Sequence, residues 1–138
     1  MMVYLDASVV LRKLQREAGA LADWGRWERA YSSELLRVEV LRTIDRNRLK
    51  GTLTDRDLTN LIERAHAIFD GVEFVALSRS VLNRAAQSFF TPLGTVDALH
   101  LATALRLVEV IRLELQFLTH DAELAMAARG VNFTVEGV

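Results

Sequence analysis

The chain contains no cysteine, which removes disulfides, thiolate zinc sites and cysteine nucleophiles together and fits a cytoplasmic protein. It has one proline, Pro92, and no Gly/Ser-rich stretch, so nothing reads as a linker or marks a second domain. Internal repeats and low-complexity segments are absent, and no apolar run approaches the length of a membrane span. The opening "MMVYLDASVV" lacks a basic n-region and a long h-region, and Asp6 interrupts it, so it does not read as a signal peptide. An excess of one charge is missing too. Lys and Arg number 17 against 18 Asp and Glu, and a net charge of −1 does not announce a nucleic-acid binder. Two bound divalent cations would nonetheless shift that balance to roughly +3. The glycines form neither a GxGxxG nor a GxxxxGK[ST] run, so no phosphate-cradling loop is expected.

What is present is an ordinary globular composition. The 138 residues are 51% hydrophobic and 25% charged, which predicts a single domain over 1–138 with one continuous core. Strand and helix alternate along it. Val3–Leu5 reads as a short strand and Ser8–Arg16 as a helix. Ala18–Arg29 is predicted to be helical, with Trp24 and Trp27 three residues apart. A strand at Ala30–Ser32 leads to Ser33 as the N-cap of a helix Glu34–Leu49 closed by Gly51. Thr54 and Asp57 form a capping box for a helix to Phe69. Val72–Leu77 is a strand and Ser78–Phe90 a helix, and a Pro-Leu-Gly turn precedes a helix Val96–Val110 capped by Thr95. Leu115–Thr119, Ala122–Arg129 and Val131–Val135 complete the series as strand, helix and strand. Such alternation predicts an α/β fold: a parallel sheet of about five short strands with helices on both faces, and ligands outside the carboxyl ends of the strands.

Four carboxylates stand out because each lies where a mostly apolar segment begins or ends, or beside a buried face. Asp6 follows Met2-Val3-Tyr4-Leu5, and Asp121 follows Leu115-Gln116-Phe117-Leu118-Thr119, with His120 between. Glu39 lies between Val38 and Val40, and Asp97 between Val96 and Ala98. Alone, Asp6, Asp97 and Asp121 are each explained as helix-start residues, where the helix dipole favours an anion by about 0.3–1 kcal/mol. Glu39 is mid-helix, and its bland alternative is a salt bridge to an arginine. Together, acids at apolar positions repel one another unless protons or a hard divalent cation offset the charge. That points to metal-dependent chemistry on phosphate.

The segments "VYLDASVVLRK", "SSELLRVEVLR", "GTVDALHLATAL" and "FLTHDAELAMAARGV" resemble, in order and spacing, the successive signatures of PIN-domain ribonucleases, specifically VapC-type toxins of toxin–antitoxin pairs. The likeness runs from Val3 to Val131. It implies that Asp6, Glu39, Asp97 and Asp121 are the catalytic, metal-binding acids, with Ser8 and Thr119 as supporting hydroxyls. It further implies Mg²⁺ or Mn²⁺ as cofactor, single-stranded or loop RNA as substrate, a homodimer, and a cognate VapB-like antitoxin. Metal-assisted hydrolysis needs no protein nucleophile, because Mg²⁺ takes oxygen ligands, keeps several waters and can activate one of them.

Other residues have structural readings. His100, one turn after Asp97, is expected to be a helix-packing residue, and His66 a structural one. His120 is expected in a solvated loop. Arg12, Lys13, Arg37, Arg42 and Arg46 lie on the helices carrying Asp6 and Glu39, where one or two would meet phosphate. Trp24 and Trp27 are expected in packing or dimer contacts. Three other functions compete: metal-free RNA cleavage by His100 and His120 through the 2′-hydroxyl, a receiver-type signalling module, and a binding protein that has lost catalysis. The receiver reading lacks its acids, since "VEFVALSRS" offers only Ser78 and Ser80 after the third strand. All four acids are present, which counts against lost catalysis.

Overall fold

Successive side chains of a strand face opposite sides of a sheet. Val3 and Leu5 accordingly enter one buried cluster and Tyr4 the other. The computed structural model, which describes residues 1–15 and 20–138, places this strand, β1 (Met2–Leu5), at the centre of a five-stranded sheet. The other strands are β2 (Arg29–Ser33), β3 (Val72–Val75), β4 (Leu115–Leu118) and β5 (Thr134–Glu136). Their order is β3-β2-β1-β4-β5, and every pairing is parallel. The helices are α1 (Ala7–Leu14), α2 (Leu35–Leu49), α3 (Asp55–Asp70), α4 (Arg79–Ala85), α5 (Thr95–Glu109) and α6 (Ala122–Gly130). The α/β architecture with helices on both faces is the one expected.

Each face has its own core. Val9, Val10 and Leu14 of α1, Leu36, Val40 and Ile44 of α2, and Ala65 and Phe69 of α3 pack on Val3, Leu5, Ala30 and Leu118. On the far side, Leu101, Ala104 and Leu105 of α5 and Leu124, Ala127 and Ala128 of α6 cover Tyr4, Tyr31 and Phe117. Burying one such leucine or phenylalanine contributes about 1.5–3 kcal/mol, so both layers are held firmly. The chain winds outward from β1 to β2 and β3, then crosses back to β4 on the other side of β1. The carboxyl ends of β1 and β4 therefore flank a topological switch point, where open α/β sheets bind ligands.

Local signals that depend on near neighbours match the expectation. Thr54 accepts from the Asp57 N–H at 3.1 Å, and the Asp57 side chain accepts from the Thr54 N–H at 3.3 Å, a complete capping box. Gly51 follows α2 with φ of +73°, as expected, but Glu34 and not Ser33 takes the N-cap position of α2, without a side-chain cap, and Ser33 Oγ accepts from the Leu35 N–H at 3.1 Å from one residue earlier.

Several boundaries differ. The predicted helix at Ala18–Arg29 begins outside the described residues, and over 20–28 the chain forms turns rather than a helix. Gly25, at φ of +84°, reverses the chain there, and the Trp24 N–H reaches only the Leu21 carbonyl. Trp24 and Trp27 meet edge to face and pack against the chain's own core rather than forming a helical stripe. The end of the first predicted helix, Arg16, also lies outside the described residues. Helix α4 stops at Ala85, short of Phe90, because Phe89 turns in to pack on the α5 side while Pro92 biases Thr91 away from helix. Phe90 is left 85% exposed. Thr95 is the first residue of α5 rather than its cap: Gly94 takes that position, and no side chain caps it. The strand predicted from Val72 ends at Val75. The last strand begins at Thr134, after Val131 terminates α6 and Asn132 turns the chain with φ of +71°.

Candidate active site

Asp6 is the first residue beyond β1, and its backbone N–H continues the ladder to the Leu118 carbonyl at 3.0 Å. Its side chain caps α1, accepting from the Ser8 N–H at 3.4 Å. Two hydroxyls then converge on the same oxygen: Ser8 Oγ donates to Oδ2 at 2.6 Å and Thr119 Oγ1 at 2.9 Å. Each hydroxyl has one proton, and each is aimed by a backbone donor behind it. The His120 N–H donates to Ser8 Oγ at 2.8 Å, and the Asp121 N–H to Thr119 Oγ1 at 3.0 Å. Oδ2 is thus held by three donors, and Oδ1 is the oxygen left facing the cleft, 4.0 Å from His100 Nε2.

Glu39 reaches the cleft from α2. Its Oε1 lies 2.5 Å from His100 Nε2, and its side chain keeps 27% of its exposure. Carboxylate oxygens of Asp6 and Glu39 and a ring nitrogen of His100 lie within 4.8 Å of one another. Asp97 stands in the first turn of α5, half-buried. Burial foremost, then the negative charges of Asp121, Asp6 and Glu39, push its carboxyl up to about 6, with His100 pulling the other way. Asp121 caps α6, its Oδ1 accepting from the Leu124 N–H at 2.9 Å. The capping explanation is therefore correct for Asp6 and Asp121, and it coexists with a shared field: Asp97 feels all three other acids.

His100 is fully buried. Desolvation lowers it, but the hydrogen bond with Glu39 and the charges of Asp6, Glu39 and Asp97 outweigh burial and leave the ring above its ordinary range. Its Nδ1 lies 2.7 Å from the Tyr4 hydroxyl, whose own ionisation is pushed far up by burial and by the charge of Asp6. The reading of His100 as a packing residue captured its burial and missed its partners. Its position one turn after Asp97 is the signal that could have found it.

A PIN domain model matches residues 3–130. Ribonuclease VapC47 from Mycobacterium tuberculosis (strain CDC 1551 / Oshkosh) is 31% identical over 139 aligned positions, which cover 96% of this chain and 93% of that protein. The chain is a PIN-domain protein of the VapC family. Its sheet order and the meeting of β1 and β4 at the cleft are the frame on which this PIN domain assembles its acids.

The basic residues on α1 and α2 are partly committed elsewhere. Arg37 lies over the rings of Phe69 and Phe74, Arg42 pairs with Asp45 at 3.1 Å, and Lys13 sits over Trp24. Arg46, one turn beyond Arg42 on α2, is exposed. His120 is not a solvated loop residue. Its Nδ1 donates to the Gly137 carbonyl at 2.7 Å, and its Nε2 is buried without a partner among the described residues.

The donor set fits a hard divalent cation. Carboxylate oxygens suit Mg²⁺ or Mn²⁺ rather than a thiophilic metal, and Asp97, raised to about 6 first by burial and then by Asp121, Asp6 and Glu39, lies in a negative field that a cation would offset.

Proposed function

We propose that this PIN-domain protein is a divalent-metal-dependent endoribonuclease that cuts single-stranded or loop RNA and acts as the toxin of a type II toxin–antitoxin pair. The observation that carries the reading is the convergence of Asp6 and Glu39, with an Asp97 whose proton affinity is raised by burial and by the charges of Asp121, Asp6 and Glu39. The relation to a ribonuclease of the VapC family supports RNA as substrate.

Asp6, Glu39, Asp97 and Asp121 would hold Mg²⁺ or Mn²⁺, which when bound supplies an activated water and charge neutralisation at phosphate. The chain's own part is placement. Ser8 and Thr119 fix Oδ2 of Asp6, so its Oδ1 faces the cleft in one orientation. Asp121 is held at the mouth of α6 by its capping bond, and Asp97, which ionises through about 6, is charged at neutral pH. Exposed basic residues on α2, Arg46 among them, would attract the RNA backbone. Hydrolysis of this kind leaves 5′-phosphate and 3′-hydroxyl ends.

The metal-free histidine reading is disfavoured by the geometry. Both His100 nitrogens are engaged within the core, and neither nitrogen of His120 is presented to solvent. We also propose a homodimer and a cognate VapB-like antitoxin, acting in the cytoplasm. Exposed Val38, Leu82 and Phe90 offer apolar surface for such contacts, whereas Trp24 and Trp27 serve the chain's own core. No helix among the described residues is long and apolar enough to cross a membrane.

The test is cleavage of a defined RNA by the purified protein with Mg²⁺, with EDTA, and with Asp6→Asn, followed by analysis of the new ends. Metal-dependent cuts bearing 5′-phosphates, lost in the variant, are expected. Cyclic-phosphate ends that persist in EDTA would overturn the reading.

A further inference from the structure

Asp6 and Asp121 are held by capping bonds and Asp97 lies in the first turn of α5, but Glu39 has no helix start to anchor it. It projects from the middle of α2, and a free glutamate there would sample several rotamers. The group that restrains it belongs to the opposite face of the sheet and is reached through a line of hydrogen bonds with a readable direction.

The line starts at the Ser33 backbone, whose N–H donates to the Tyr4 hydroxyl at 3.2 Å. That hydroxyl is buried and stays protonated, so it has one proton to place. The nearby hydroxyls of Ser32 and Thr103 donate to the Leu5 and Leu99 carbonyls, each at 2.7 Å. The acceptor at hydrogen-bond geometry for the Tyr4 proton is His100 Nδ1, at 2.7 Å. An imidazole that accepts at Nδ1 carries its proton on Nε2, and Nε2 faces Glu39 Oε1 at 2.5 Å. Adding a second proton to the ring would place it on Nδ1, so Nε2 remains a donor in either form.

We infer that His100 is a positioning residue for Glu39 and not a metal ligand: Tyr4 sets its tautomer, and its Nε2–H holds Oε1 so that Oε2 is presented to the cleft. The ring nitrogen that lies within reach of the acid cluster has no lone pair to offer a cation. An N–H-bearing ring behind a carboxylate is also a familiar way of orienting a ligand from outside the coordination sphere, and losing such a partner typically costs 10–100-fold in metal affinity or activity, to order of magnitude about the same for either. The tautomer stands on hydrogen bonds alone, while its consequence for cleavage rests on the proposed metal-dependent nuclease.

The two parts are tested separately. Long-range ¹H–¹⁵N correlation spectra of the imidazole-labelled wild-type protein, without metal and with saturating Mg²⁺, report which ring nitrogen carries a proton. A protonated Nε2 in both samples is expected. An Nε2 without a proton in either sample overturns the inference, whether or not Mg²⁺ binds. Variants then read the consequence. His100→Gln keeps an N–H donor near Oε1, and His100→Leu keeps only bulk. Single-turnover cleavage by His100→Leu should fall by about 10–100-fold with RNA affinity little changed, and His100→Gln should recover most of it. Wild-type rates in His100→Leu, or equal losses in two well-folded variants, would refute the positioning role.

Discussion

Replacing Asp97 with asparagine should stabilise the metal-free protein at neutral pH and leave it nearly unchanged at pH 4. The folded state holds this carboxyl at about 6 against an ordinary 3.8, because burial and three acidic neighbours disfavour its charge. If fully expressed, a displacement of that size is worth about 3 kcal/mol. Asp97 is only half-buried, and solvent screening reduces the figure to about 1.5 kcal/mol. Its place in the first turn of α5 favours the ionised form by about 0.3–1 kcal/mol, which asparagine forfeits. The net gain is then about 1 kcal/mol, or roughly 2–5 °C in Tm for a domain of this size. The sign follows from linkage. A folded-state pKa above the unfolded one means the stability is fully present below about pH 4 and lost as pH rises through about 6. The variant, having no carboxyl to ionise, escapes that loss, so the difference opens across this window. Urea unfolding in EDTA from pH 4 to 8 measures it. Saturating Mg²⁺ at a hundred times its Kd adds about 2.7 kcal/mol to the wild type, and less to the variant, so the ranking should invert with metal. A variant that is less stable than wild type in EDTA at pH 7, or a difference that does not change between pH 4 and 7, refutes the shared-charge account of this cluster.

Mn²⁺ affinity measured by calorimetry should rise between pH 5 and 7, with proton release on binding, because Asp97 must ionise through about 6 to take part. Thr119→Val removes the donor to Asp6 Oδ2 and strands the Asp121 N–H; it should cost about 1–3 kcal/mol in chemical denaturation and reduce cleavage more than RNA binding. Gly137→Ala should lower Tm, since its φ is +108° and a Cβ there would lie 2.2 Å from the Thr119 carbonyl oxygen, with a strain on the order of 1–3 kcal/mol. The same substitution should loosen the His120 contact, which would show as a changed His120 ring signal in NMR.

What could be read in advance was what near neighbours decide. The capping box at Thr54 and Asp57 and the stop at Gly51 involve residues a few positions apart, and alternating apolar segments were enough to predict a parallel sheet. The helix predicted across Trp24 and Trp27 failed because their spacing of three fits a helix, while Gly25 between them adopts a backbone that no helix contains. Likewise Phe89 and Phe90 prolonged a helical pattern that Pro92 and the core cut short. At the site, the four acids were legible as misfits among apolar residues. The tie of Tyr4 to His100 spans 96 residues and that of His100 to Glu39 spans 61, and no local pattern reports such pairs. Ser8 and Thr119 had only the family resemblance to recommend them, yet both hydroxyls meet on one oxygen of Asp6.

The seam on which the acids lie also has a consequence for how the chain matures. Asp6 and Thr119 touch across 113 residues of sequence, and β1 has its second neighbour only when β4 has been made. Closing a separation of that length is slow compared with forming the helices of the first half, and its entropic cost must be met before the long-range pairing is rewarded. A chain that has emerged only as far as α3 or β3 has Asp6 and Glu39 but neither Asp97, His100 nor Asp121, and an open edge along β1 where the cleft should be. On the proposed nuclease reading, a chain still being made lacks two of the four acids and cannot yet assemble the cation site.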